Sequence, residues 1–152
     1  MSRLRQATRD DTAEIWRVRY AVTENTLTPG RIGDAELHAH LEVFGRGWVV
    51  ELEPEPNLKI AGFAIGDARD GHIWAMFVDP AMHGQGYGRQ LHDVMVDWLF
   101  AQGHRRLDLG TQPGSRAEAF YRRAGWRPTG DALDAHGDRL FELRIEDWKP
   151  HA

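Results

Sequence analysis

The chain has 152 residues, of which 28% are charged and 41% hydrophobic, and its net charge is -4 with histidine neutral. That length suits a single domain, residues 1–152, which on folding would bury about two-thirds of the surface its unfolded chain exposes. The composition argues against disorder, the acidic balance gives no general attraction to nucleic acid, and the lack of cysteine excludes disulfides, thiolate metal sites and a cysteine nucleophile. No window approaches the ~18 apolar residues of a membrane span and the N-terminal MSRLRQATRDD lacks an apolar leader core, so a cytoplasmic protein with no membrane partner is expected.

A short strand around Leu4 precedes Thr8 to Asp11, a capping-box pattern that starts a helix. Ile15, Val18 and Val22 recur at helical spacing, with Trp16 and Tyr20 on the adjacent stripe, which carries this helix to about Thr23. Asp34 caps a second helix with Leu37, Leu41 and Phe44 on one face, and Gly45 and Gly47 end it. Trp48 to Leu52 and Leu58 to Ile65 read as an antiparallel hairpin, and His72 to Val78 as the next strand, ended by Asp79 and Pro80.

A third helix carries Leu91, Val94, Met95, Trp98 and Leu99 at i, i+3, i+4, i+7 and i+8 and stops at Gly103. The strand Leu107 to Thr111 follows, so a parallel strand-helix-strand crossover is implied. Ser115 and Glu118 form a second capping box, and the short helix they open ends at Gly125. A strand starts over Trp126 to Pro128. Arg139 to Ile145 alternates as a last antiparallel strand with one wet face.

The most informative stretch is Ile73 to Leu91, IWAMFVDPAMHGQGYGRQL, where an apolar strand opens through three glycines onto a helix N-terminus. Unpaired amides and the positive end of a helix dipole meet there, an arrangement that binds anions. Its glycines would let the amides of Gln85 to Arg89 approach a pyrophosphate. A tight turn without a ligand shares these local features. No Gly-Lys-Ser/Thr follows, which speaks against a Walker loop, and the preceding antiparallel meander speaks against a dinucleotide-binding unit.

The element order β-α-α-β-β-β-α-β-α-β-β, an α/β (α+β) mixed central sheet with helices on both faces, resembles the GNAT superfamily of N-acetyltransferases. Two segments carry the resemblance: Val78 to Arg89, VDPAMHGQGYGR, matches the acetyl-CoA loop, and Ala119 to Trp126, AFYRRAGW, matches the later FY helix. The family's Gln/Arg-x-x-Gly-x-Gly/Ala pattern falls on His83, Gly86 and Gly88, with His83 and Gln85 standing where Lys or Arg is common.

The resemblance implies acetyl-CoA as cosubstrate, no metal, and an amine acceptor. It places the coenzyme on Met76, Phe77, Val78, His83, Gly84, Gln85, Gly86, Tyr87, Gly88 and Arg89, with the Met76 N–H as oxyanion donor. Tyr121 takes the family's place beside the coenzyme sulfur as general acid, and Gly114 and Ser115 stand where relatives often carry an asparagine.

His72 falls by an ungapped count at the position of the base in histone-acetylating relatives, acting directly or through water; a plain solvent-facing histidine is the alternative. The acceptor pocket maps to residues 20–40, where Glu24 and Asn25 could bind the amine and His38 and His40 could line the wall. The final strands and Trp148 offer a surface for a homodimer. The reading from another class is a non-catalytic acyl-CoA-binding or sensor module that keeps the loop without the chemistry.

Overall fold

The computed structural model describes residues 1–24, 27, 30–53 and 59–148. The elements are β1 (Ser2–Gln6), α1 (Thr12–Ala21), α2 (Asp34–Ala39), β2 (Gly45–Leu52), β3 (Lys59–Asp67), β4 (His72–Val78), α3 (Tyr87–Ala101), β5 (Arg106–Thr111), α4 (Arg116–Arg123), β6 (Arg127–Leu133) and β7 (Arg139–Arg144). This is the order expected from the sequence. Among the described residues the strands form one sheet in the order β1-β2-β3-β4-β5-β7-β6, antiparallel throughout except where β4 meets β5. Only that pair needs a crossover connection, and α3 supplies it.

Strand alternation sends successive side chains to opposite faces, which separates two cores. Ile15 and Val18 of α1 and Leu37 of α2 pack on Val49, Phe63 and Ile65. Leu91, Met95, Val96 and Leu99 of α3 pack on Trp48, Val50, Ala64 and Leu107 on the other face. Full burial of each such side chain contributes about 1.5–3 kcal/mol, so these two stripes dominate the fold's stability.

Helix α3 lies close over β3 because the strand presents small residues there. A Cβ on Gly62 would stand 3.2 Å from Leu91 Cδ1 of α3 and 2.6 Å from the Phe77 carbonyl oxygen of the neighbouring β4, and one on Gly66 would stand 2.9 Å from Leu99 Cδ1.

Local signals act largely as read, with shifts that have physical causes. Thr8 and Asp11 form the capping box, with the Thr8 N–H donating to the Asp11 carboxylate at 2.8 Å, but a 3-10 turn over Arg9–Asp11 comes before α1. Helix α1 stops at Ala21, short of the expected Thr23, because Val22 is already extended. Gly33, not Asp34, is the N-cap of α2.

Gly45 and Gly47 do not merely end the second helix. A wide turn over His40–Phe44 delivers the chain directly into β2 at Gly45, three residues before the expected start, and a Cβ on Gly45 would lie within bonding distance of the Gly66 carbonyl. The expected strand at Trp126 to Pro128 runs on to Leu133, with irregular pairing to β7 between Pro128 and Leu133.

A polar tie holds α1 to the end of β4. Arg17 donates to Glu14 at 2.7 Å, to Asp79 at 2.7 Å and to the Ile60 carbonyl at 2.9 Å, while Asp79 also accepts from the Ala81 N–H. The Arg17 hydrogen bond holds the Asp79 carboxyl below its usual range despite burial. We expect Gly62→Ala to destabilise the protein by about 1–3 kcal/mol in urea unfolding, because the new methyl meets backbone that cannot rotate away.

Candidate active site

Strands β4 and β5 are registered as parallel neighbours only at His72↔Asp108, where the Asp108 N–H donates to the Gly71 carbonyl at 3.0 Å. On the other edge of β4 the Asp79 N–H donates to the Ala61 carbonyl of β3. Amides alternate sides along a strand, so those of Met76 and Val78 point into the opening between β4 and β5. A row of strand donors thus faces a cleft instead of a neighbouring strand.

The chain then turns through Pro80–Met82 and the two positive-φ glycines Gly84 (φ 80°) and Gly86 (φ 84°) to reach Tyr87. A side chain at either glycine would cost about 1–2 kcal/mol in this conformation. Gly86 caps α3 without a side-chain hydrogen bond, and the first turn carries no acidic residue. The first helical bond is from the Gln90 N–H to the Gly86 carbonyl, so the amides of Tyr87 and Gly88 precede the helix's own hydrogen-bond ladder.

The side chains of the loop are engaged with the protein. His83 Nε2 lies 3.3 Å from the Val78 carbonyl oxygen, Gln85 reaches the Met82 sulfur, and Arg89 bonds Asp93 at 3.1 Å. Gly88 stands apart: a Cβ there would make ordinary contacts at 3.5 Å to Val78 and 3.7 Å to Phe120, so packing within the protein does not require glycine.

The resulting cleft, about 380 Å³, runs from this loop along Met76, Phe77 and Val78 to Tyr121 on α4. Ser115 caps α4 by accepting from the Glu118 N–H at 3.1 Å, and α4 presents Phe120 and Tyr121 to the core. Tyr121 is 5% exposed and packs edge-on against Phe120 and Trp126. Burial pushes its phenol well above the ordinary tyrosine range. Among the described residues its hydroxyl has no hydrogen-bond partner.

Beneath Tyr121 lies a residue that helical periodicity did not single out. His92 is fully buried, its Nε2 accepts from Trp126 Nε1–H at 2.9 Å, and its Nδ1 lies 2.8 Å from the Asp93 carboxylate. Indole nitrogen only donates, so Nδ1 carries the imidazole hydrogen. Burial alone would raise the Asp93 carboxyl, but the bonds from His92 and Arg89 outweigh it and hold the carboxyl below its usual range. The ring of His92 meets Phe120 edge-on at 5.5 Å, which buttresses the FY pair.

A second hollow of about 270 Å³ lies on the other side of β4, walled by α1 and by the turn between β6 and β7. A bulge makes it: Ile65 faces Ala75 but Gly66 faces Ile73, so Trp74 is the extra residue. His72 lines this hollow, with its Nδ1 2.5 Å from Asp108 Oδ1. The Asp108 hydrogen bond, opposed by burial, raises the His72 pKa above its ordinary value.

The residues expected at the acceptor pocket separate. Glu24 lines the larger cleft, where its carboxylate accepts from the Arg116 N–H at 3.1 and 3.3 Å as a cap for α4. His38 bonds Thr12 at 2.9 Å, and His40 is buried and stacked on Trp74 at 3.9 Å. Asn25 lies outside the described residues. No group of three side chains among the described residues could hold a metal ion, and no helix there is long and apolar enough to cross a membrane.

An open strand edge ending at an uncapped helix N-terminus suits a ligand that is both amide-like and phosphorylated, which is the chemistry of a coenzyme thioester. Residues 6–126 match the model of the acetyltransferase (GNAT) family, and the chain belongs to that family. Its members use acetyl-CoA.

A mycothiol acetyltransferase from Beutenbergia cavernae is 38% identical over 65 residues, 42% of this chain and 22% of that protein, so the matched region is under a quarter of that relative's length. Among solved structures, the ribosomal-protein-S18-alanine N-acetyltransferase of Escherichia coli superposes with a TM-score of 0.72 at 18% identity, covering 95% of this chain and 94% of that one. The protein yncA of Salmonella typhimurium, seen with its cofactor acetyl-CoA, superposes with a TM-score of 0.75 at 17% identity over 100% and 96% of the two chains. At these identities the structural likeness establishes the fold.

The His72–Asp108 pair has a definite pH signature. A histidine whose folded pKa is raised contributes stability that is fully present below its unfolded value, about 6.5, and is lost as pH rises through the folded pKa. We expect an NMR titration of His72 to show an elevated pKa that Asp108→Asn lowers, together with a flatter dependence of unfolding free energy on pH above about 6.5 in that variant.

Proposed function

We propose that the protein transfers the acetyl group of acetyl-CoA to a primary amine of a small molecule or peptide by direct attack in a ternary complex. The observation that carries this is the open edge of β4, with the Met76 and Val78 amides facing a cleft that ends at the N-terminus of α3, which no side-chain hydrogen bond caps. The helix N-terminus suits the pyrophosphate and the strand edge suits the pantetheine amides. Gly88, which packing within the protein does not demand, suits close approach of the backbone to phosphate.

The thioester supplies an activated acetyl group. In the reaction a C–N bond forms to the amine, the C–S bond breaks, and the proton lost by the nitrogen balances the thiol released. The Met76 N–H, aimed into the cleft, would stabilise the developing oxyanion by about 3 kcal/mol. His72 lies four residues before Met76 on the same strand, about 13 Å away at ~3.3 Å per residue, so it would receive the amine's proton through water, not directly. Asp108 behind its Nδ1 orients the ring with Nε2 available.

Tyr121 would act at the sulfur. Because burial holds its phenol high, it stays neutral and donates a hydrogen bond to the departing thiolate, and the proton that finally neutralises the thiol comes through solvent. The absence of cysteine supports direct attack over a cysteinyl intermediate.

Release of free thiol from acetyl-CoA across an amine panel tests this reading. We expect turnover that Tyr121→Phe reduces by about 100-fold or more in kcat, with coenzyme affinity preserved. Acetyl-CoA at 100 times its Kd should stabilise the protein by about 2.7 kcal/mol. Coenzyme binding without turnover on any amine would favour the sensor module, and no thermal shift with either acetyl-CoA or CoA would defeat both readings.

A further inference from the structure

We propose that the acceptor is a small amino carboxylate whose carboxylate seats on Arg19 while its amine faces His72 and the acidic turn at Asp134 and Asp138; this rests on the acetyl-transfer reading above. Arg19 reaches the smaller hollow from α1 and lies flat over the Phe77 ring, 4.2 Å from its centroid. It is half-buried, makes no ion pair among the described residues, and its Nη1 is closed off from solvent without a hydrogen bond. Two other buried side-chain atoms lack hydrogen bonds, Glu118 Oε2 and Arg139 Nε, but they face each other at 3.5 Å as an ion pair.

Arg19 is thus a half-buried cation that no carboxylate among the described residues pairs. Arg17 on the same helix is, by contrast, held by two carboxylates and a carbonyl. Burial lowers the Arg19 pKa, and no carboxylate opposes that effect. A guanidinium stacked on an aromatic face keeps its edge free, the geometry that takes a carboxylate through two parallel hydrogen bonds.

The turn between β6 and β7 brings the opposite sign to the same hollow. Asp134 accepts from the N–H groups of His136 at 2.8 Å and Asp138 at 2.9 Å, and the Asp138 bond foremost keeps its carboxyl below the usual range. Asp138 is pushed up by burial and then by Asp134. Both line the hollow with His136 and His72, over an apolar floor of Ile15, Trp74 and Phe77.

A hollow of about 270 Å³ with a free cation on one wall and carboxylates on the other fits a small zwitterion. A simple cationic amine would leave Arg19 unpaired, and an anion without an amine could not accept the acetyl group.

The test pairs each standard amino acid with its carboxamide in the thiol-release assay. Wild type should prefer the acid by about tenfold or more in kcat/KM, and Arg19→Gln should bring the ratio to about one, with Arg19→Lys intermediate. A rise in Tm with acetyl-CoA shows that a variant is folded.

An amide as good as its acid in wild type overturns the proposal, as does an acid preference that survives in folded Arg19→Gln; if that variant does not fold, the wild-type ratio decides. Should no amine release thiol although acetyl-CoA raises the Tm, the catalytic reading fails separately. The carboxylate site is then judged by binding: N-acetylleucine should raise the Tm more than its amide does, and equal shifts overturn it.

Discussion

The site depends on one break in a sheet. Backbone N–H groups need partners, and in five of the sheet's six strand pairs the neighbouring strand provides them; between β4 and β5 the pairing is confined to His72↔Asp108. The crossover through α3 makes these two strands parallel and brings the helix N-terminus to the end of β4, at the mouth of the opening. Donors left over by the strand and donors left over by the helix therefore converge on one cleft. A ligand with amides along its arm and phosphates at its end satisfies both sets.

Strand β4 also separates two environments. The larger cleft reaches the buried Tyr121, and the smaller hollow, opened by the bulge at Trp74, reaches His72. They share Ile73, Trp74, Ala75, Phe77 and Gly110, so only the width of a strand lies between them. On the proposed reading, an acyl donor in the cleft and an acceptor in the hollow would meet across these shared residues. The supports differ: beside the larger cleft a packed aromatic group with His92 at its centre, and around the smaller hollow charged groups on α1 and on the turn between β6 and β7.

Much of this was legible in the residues alone, and the reason is locality. Glycines at 84 and 86 sit at positive φ, Thr8 and Ser115 accept from amides a few residues on, and Leu91, Met95 and Leu99 share a helix face, each a property of neighbours along the chain. Phe141 and Leu143 bury one face of β7 while Leu140 and Arg144 stay exposed, as alternation predicts. Element order followed from these signals, and the GNAT family from the order together with two short segments.

What the sequence by itself determined is the set of elements, the glycine turn into α3 and the places of Met76 on a strand and Tyr121 on a helix. What only the tertiary structure decided are the pairings between residues far apart: Asp108 behind His72, Trp126 on His92, Glu24 on the Arg116 N–H at the start of α4, and Arg19 without a carboxylate among the described residues. Periodicity and capping act over a few residues and so can be read in one dimension. Whether a charge finds a partner is set by which distant side chain the packed sheet brings within 3 Å of it, and that distance does not exist until the chain has folded.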